Sequence, residues 1–349
     1  MRTIFLLALL ACLLPTRVEA RQSAIALPRL GVAIQESTVS GISSGAYMAG
    51  QVQMAHGDII KGAAIIAGGP YGCAESAFAP FLFGPAAVAM NANKAINGCM
   101  LGLMAGAGVP DPSGLARRTA GRAARGEIAP LDALRKHRVY LFTGTNDTFV
   151  APSIVRSAYA FYRAIGVPND AIRLVDTLPA GHGFVTETEG AACEVSRSPF
   201  VIDCDFDLAG DILATLHGPL IPPGPPDLGF FVTFDQRPFQ VEGAATGLAD
   251  EGVIYVPDAC RNARSCRVHI AFHGCAQNRD MVGDVFIGRT GFARWAATNR
   301  IAVLFPQTRA SSLNPQGCWD WWGFTGRQFL TRSAPQIRAV RAMLDELAK

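Results

Sequence analysis

The sequence is poor in charge. Only 17% of its residues are Asp, Glu, Lys or Arg, against about 25% in an average soluble protein, and net charge is +3. No block of Lys and Arg occurs, so nucleic-acid binding has no support. Beyond the N-terminus no segment has the ~18 uninterrupted apolar residues that a membrane-spanning helix needs. C-x-x-C pairs and His/Cys clusters at zinc spacing are missing, so neither a metal nor another cofactor is expected. There is no internal repeat. Hydrophobic residues and glycine are plentiful, at 50% and 36 residues. A chain of 349 residues can bury a large core, as one big α/β domain or two smaller ones.

The first twenty residues read as a leader: Arg2, an apolar run from Ile4 to Leu14, and Val18-Glu19-Ala20 before Arg21 as an A-x-A-like cleavage site. Export to a periplasm or the extracellular space is the expectation. The stretch Leu9-Leu10-Ala11-Cys12 also looks like a lipobox, with Cys12 acylated, although the apolar run before it is short. Of nine cysteines, those beyond the leader are Cys73, Cys99, Cys193, Cys204, Cys260, Cys266, Cys275 and Cys318. An even number in an exported chain points to disulfides. Pairing nearest neighbours gives 73 with 99, 193 with 204, 260 with 266 and 275 with 318.

Seven short β-branched or apolar runs read as buried parallel strands with helical stretches between them. They are Gly31–Ile34, Gly62–Ala67, Val139–Phe142, Ile172–Val175, Gly252–Val256, Arg267–Phe272 and Ile301–Phe305. This is an α/β pattern. Residues 76–135 are small and apolar with a basic patch from Arg117 to Arg125, and read as helices inserted between two strands, either a cap or extra packing. The segment "HGPLIPPGPPDLG" at 217–229 is a proline-rich connector.

Gly41-Ile42-Ser43-Ser44-Gly45 fits G-x-S-x-G, the sharp strand-to-helix turn that lifts a serine above a sheet. With 36 glycines in the chain the pattern can arise by chance, so its context must decide. A nucleophilic serine needs a base, and the base needs an orienting group. "VYLFTGTNDTFV" puts Asp147 just past an apolar strand, and "IRLVDTLPAGHGFV" puts His182 in a Gly-flanked loop past the next. Alone, an Asp after a strand is usually a turn former or helix cap, and loop histidines are common. Together the three follow the hydrolase order Ser, Asp, His.

An oxyanion loop of HGGG type should precede the serine. None does, yet "VHIAFHGCAQN", with His273, Gly274 and Cys275, has that form far downstream. Moving the C-terminal part in front of residue 31 restores the usual order, so the chain reads as a circularly permuted α/β-hydrolase, a single domain over 21–349 with a helical insertion. The amides of Ser44 and Cys275 are then the expected oxyanion donors, held rigid by a Cys275–Cys318 bridge. "GCWDWWGFTG" at 317–326 carries Trp319, Trp321 and Trp322. Such clusters are more often core than ligand surface, but these could hold an apolar ester chain.

The segments "GISSGAYMAGQ", "AGGPYGCAES", "GTNDTFV", "AGHGF", "CDFDLAGDIL", "GVIYVPDAC", "IAFHGCAQ" and "GCWDWWGFTG" together resemble poly(3-hydroxybutyrate) depolymerases, in the subgroup with an N-terminal lipase box and a C-terminal oxyanion histidine. The resemblance implies a serine esterase acting on short-chain-length polyhydroxyalkanoate. It implies Ser43, Asp147 and His182 as triad, His273 with Cys275 at the oxyanion site, and polymer contacts from one or more of the three tryptophans. Many extracellular relatives carry a further polymer-binding domain. None follows the last helix here, which favours amorphous polymer or oligomers over crystalline polymer. Two other readings stay open: a feruloyl or acetylxylan type of carbohydrate esterase, since fold and triad do not separate ester substrates, and a non-catalytic polymer-binding protein.

Overall fold

The computed structural model describes residues 24–82, 84–102, 110–261 and 265–349. The leader expected over 1–20, with Cys12, lies outside them. Among the described residues eleven strands occur: β1 (Ser37–Ile42), β2 (Ile60–Ile66), β3 (Arg138–Phe142), β4 (Ile172–Val175), β5 (Phe184–Thr186), β6 (Ala191–Ala192), β7 (Val201–Asp203), β8 (Gly229–Asp235), β9 (Glu251–Pro257), β10 (Arg267–Phe272) and β11 (Ile301–Phe305). Eight of them form one sheet in the order β4-β3-β2-β1-β10-β11-β9-β8, and β5-β7-β6 form a small second one. The six strands from β4 to β11 are parallel; β9 and β8 are antiparallel. Ile, Val and Ala of the central strands are fully buried, as expected where helices cover both faces.

The order of the strands records the permutation. The chain enters at the middle with β1, builds outward to β4, crosses through residues 218–228 to the far edge, and fills the other half with β8 to β11. The end of the last helix, Pro335–Leu347, lies against the beginning of the described chain: the Leu30 and Val32 amides donate to the Leu347 carbonyl at 3.1 and 3.3 Å. Read from β8 across that junction, the order becomes the His273–Gly274–Cys275 loop, Ser43, Asp147, His182 without interruption.

Two strand expectations need correction. Gly31–Ile34 is not a strand; it leads into a short 3-10 turn at Ile34–Glu36, and the strand proper is the polar-looking "STVSGI". Two of its buried hydroxyls pair with imidazoles: Thr38 Oγ1 lies 2.9 Å from His217 Nε2 and 2.8 Å from His269 Nδ1, and Ser40 Oγ lies 2.8 Å from His269 Nε2. Gly252–Val256 is a strand, but antiparallel to both neighbours. β8 and the small sheet escaped the sequence reading. The insertion between β2 and β3 is helical as expected, with helices Pro85–Cys99, Pro112–Ala124 and Leu131–Leu134, and the basic patch lies on the second.

Candidate active site

Strand β1 ends at Ile42 and the helix Ser44–Ala55 begins two residues later, so the whole reversal falls on Ser43. Its φ of 56° and ψ of −121° are a conformation that side chains other than glycine rarely hold, and that persists only when the surroundings impose it. They do so here. The Ser43 amide donates to the Ile66 carbonyl of β2 at 2.9 Å. A Cβ on Gly41 would sit 2.1 Å from the Gly45 carbonyl oxygen, and one on Gly45 would sit 2.4 Å from the carbonyls of Phe272 and His273. Both glycines of the motif are therefore forced by close backbone approach. From Ser37 to Gly57 every residue is buried except Ser43, which is partly exposed in an otherwise closed strand and helix.

His182 follows β4 and Asp147 follows β3. His182 Nδ1 lies 2.8 Å from Asp147 Oδ2, a pair almost wholly shielded from water. The other carboxylate oxygen accepts from the Phe149 and Val150 amides at 2.9 and 2.8 Å. With Oδ1 saturated by backbone, Oδ2 is left to hold the imidazole, so Nδ1 carries the proton and Nε2 is the free nitrogen. The His182 amide donates to Ser196 Oγ at 2.7 Å, and the neighbouring Gly181 amide to the Cys193 carbonyl at 2.8 Å. The His182 loop is thus tied to the segment closed by the Cys193–Cys204 disulfide. The Phe149 ring stacks on the imidazole with centroids 5.1 Å apart, and Phe200 meets it edge-on at 6.1 Å. Neither phenylalanine was anticipated, although Phe149 stands inside the "GTNDTFV" segment.

The loop after β10 comes to the serine from the neighbouring strand. The Cβ position of Gly274 is 3.4 Å from Ser43 Cβ. On this loop the Gly274 amide donates to Gln277 Oε1 at 2.8 Å and the Ala276 amide to the Gln316 carbonyl at 2.7 Å. Between them, the Cys275 amide has no acceptor among the described residues, and the same holds for the Ser44 amide, the first of its helix. Cys275 is bonded to Cys318. The other three disulfides, Cys73–Cys99, Cys193–Cys204 and Cys260–Cys266, likewise join neighbours in sequence.

His273 lies at the start of the same loop, bonded inward. Its ring is fully buried, with Nδ1 donating to the Gly274 carbonyl at 2.7 Å and Nε2 facing the Thr308 amide at 3.3 Å. Nδ1 is engaged within the loop and Nε2 with Thr308 past β11, and burial lowers the imidazole pKa to about 4.

The tryptophans separate by burial. Trp319 is fully buried, packed edge-on against Phe272 at 4.9 Å, which removes it from the set of substrate contacts. Trp321 is nearly buried and stacks on Tyr47 at 4.0 Å with planes 7° apart. Only Trp322 keeps partial exposure, edge-on to Trp321 at 6.0 Å and against Phe324 at 4.9 Å. The loop is pinned by Asp320, whose buried carboxylate accepts from the Gly323, Phe324 and Thr325 amides. A cavity of about 860 Å³ lined by Lys94, Arg117, Arg118 and Arg122 lies in the helical insertion; neither Ser43, Asp147 nor His182 borders it.

No family model matches the chain. It is 35% identical to a poly(3-hydroxybutyrate) depolymerase of Delftia acidovorans over 95% of its length, and spans 63% of the length of that relative. It is 32% identical to a polyhydroxybutyrate depolymerase of Talaromyces funiculosus, with 94% of each chain covered. The crystal structure of a PHB depolymerase from Penicillium funiculosum superposes with a TM-score of 0.80 at 29% identity, covering 93% of this chain and 98% of that one. A serine-to-alanine form of a PHB depolymerase, complexed with R3HB trimer, superposes equally well. With the strand order and identity over nearly the full length in agreement, the chain belongs to the polyhydroxybutyrate depolymerase family.

Proposed function

We propose that this protein is a serine esterase that hydrolyses poly(3-hydroxybutyrate) and its oligomers through an acyl-enzyme. The observation that carries the proposal is one juxtaposition. A lone partly exposed serine on a strained turn adjoins a loop whose central amide has no acceptor among the described residues, in a fold that also holds a buried Asp–His pair. In this mechanism His182 Nε2 takes the Ser43 proton as Oγ attacks the ester carbonyl. Asp147 keeps the imidazole in its Nδ1–H tautomer and stabilises the cation that forms. The carbonyl oxygen, now an anion, accepts from the amides of Ser44 and Cys275. The alcohol end of the chain leaves with the proton from His182, and water repeats the sequence to free a 3-hydroxybutyryl acid. That a relative of the same fold was captured with R3HB trimer supports the substrate class.

Trp322, partly exposed on the tryptophan loop, and Phe149, exposed on the His182 wall, are proposed to contact the polyester. Export fits the four disulfides; no helix among the described residues is long and apolar enough to cross a membrane. Amorphous granules and soluble oligomers are the preferred substrates in this reading. The test is release of 3-hydroxybutyrate and its oligomers from amorphous granules by the purified protein, beside Ser43→Ala. Release by the wild type alone supports the proposal. Cleavage of small aryl esters through Ser43 without polymer hydrolysis would move the substrate to carbohydrate esters, and granule binding with no hydrolysis of any ester would leave a binding protein.

A further inference from the structure

Gln277 stands two residues past Cys275 and is buried. Its amide bonds in two directions at once. Oε1 accepts from the Gly274 amide at 2.8 Å, and Nε2 donates to the carbonyls of Pro199 and Phe200 at 3.1 and 2.9 Å. The first contact occupies the amide just before Cys275. Together with the bond from Ala276 to Gln316 on the other side, it leaves the Cys275 amide as the one donor of the three that is free. The second contact reaches across to the segment that carries Phe200, the ring standing edge-on to His182. No other side-chain hydrogen bond among the described residues joins the oxyanion loop to that segment.

Resting on the proposed esterase reading, we propose that Gln277 is a positioning residue for catalysis: it selects Cys275 as the oxyanion donor and fixes that donor relative to the His182 wall. The selection has a physical basis. A peptide loop that can rotate exposes adjacent amides in turn, whereas one whose flanking amides are both bonded inward presents the middle one at no cost in reorganisation during the reaction. Gln is the residue type that can do both jobs, since it offers one acceptor and two donors on one planar group. Gln277→Glu keeps the acceptor for Gly274 but turns a carboxylate oxygen toward two carbonyls. Gln277→Met keeps the volume and removes both bonds.

The test compares wild type, Gln277→Met and Gln277→Glu on a soluble 3-hydroxybutyrate trimer and on an aryl ester. Binding of the intact trimer is measured separately in a Ser43→Ala background. Removal of an oxyanion donor costs on the order of 100- to 1000-fold in rate, and a misaligned one is expected to cost about 10- to 100-fold in kcat. The account expects that loss with both esters, KM within about twofold of wild type and trimer affinity unchanged in the Ser43→Ala background. Inhibition by a tetrahedral phosphonate should weaken in parallel with kcat/KM. A folded Gln277→Met enzyme with wild-type kcat on both esters would overturn the proposal. So would a loss of trimer affinity equal to the loss of rate, which would make Gln277 a ground-state binding element. Failure of the wild type on trimer with retained aryl-ester turnover would count against the substrate alone, and the aryl-ester arm would still decide the role of Gln277.

Discussion

At the scale of single residues, exposure separates side chains of the same type. Ser43 and Ser44 are adjacent, yet Ser44 is buried with its hydroxyl 3.4 Å from the Trp319 amide, and only Ser43 reaches the surface. The three tryptophans divide the same way. Trp322→Ala is expected to raise KM for trimer several-fold and leave the melting temperature unchanged. Trp319→Ala, which empties a fully buried site, is expected to cost about 3–5 kcal/mol of stability. Kinetics and calorimetry on the two variants check this, and a Trp319→Ala protein as stable as wild type would contradict it. The G-x-S-x-G turn was legible because each of its glycines answers a steric demand. The burial of Trp319 was not legible, because a short run of aromatics has no periodicity that tells core from surface. Gln277 gave no signal either: a lone glutamine after a loop motif carries no pattern, and its meaning comes from carbonyls some eighty residues away.

At the scale of elements, apolar runs marked most strands of the sheet, and polar ones hid the most important. β1 is not among the seven apolar runs because Ser37, Thr38 and Ser40 are buried on it, two of them bonded to histidines from distant segments. β8 was missed beside the proline-rich connector, and β5 to β7 are too short for alternation to register. The site's order along the chain was legible all the same, because each functional loop follows a strand end. Two predictions belong here. Joining the ends of the chain with a short Gly/Ser linker and opening it between Ile221 and Pro225 should give a folded, active enzyme with the ordinary strand order. A permutant that does not fold would count against the junction at Leu30 and Leu347. Replacing both Cys275 and Cys318 with Ser opens a closure of 43 residues, worth about 4 kcal/mol on the chain-entropy account. It should lower both the melting temperature and kcat; a lower melting temperature with full kcat would mean the bridge does not hold the oxyanion loop.

At the scale of the whole molecule, buried neutral histidines make the fold sensitive to acid. Burial lowers the pKa of His56, His137 and His273 to about 4, and that of His269 well below its ordinary value. Unfolded, each takes up a proton near pH 6.5. Their contribution to stability is therefore complete above that pH and is lost progressively as pH falls toward 4, the unfolded state binding more protons throughout that window. Urea unfolding at stepwise pH should show the midpoint dropping steeply from pH 6.5 to 4.5. A flat midpoint there would show that these histidines are not buried in neutral form. The central claim, that Ser43 carries the acyl group of a hydroxybutyrate ester, is tested most directly by trapping. The protein is mixed with R-3-hydroxybutyrate trimer, quenched in acid within milliseconds, and mapped by mass spectrometry. The account predicts a 3-hydroxybutyryl adduct on the peptide containing Ser43, absent from Ser43→Ala. Steady turnover with the adduct on another residue, or undiminished turnover by Ser43→Ala, would contradict it.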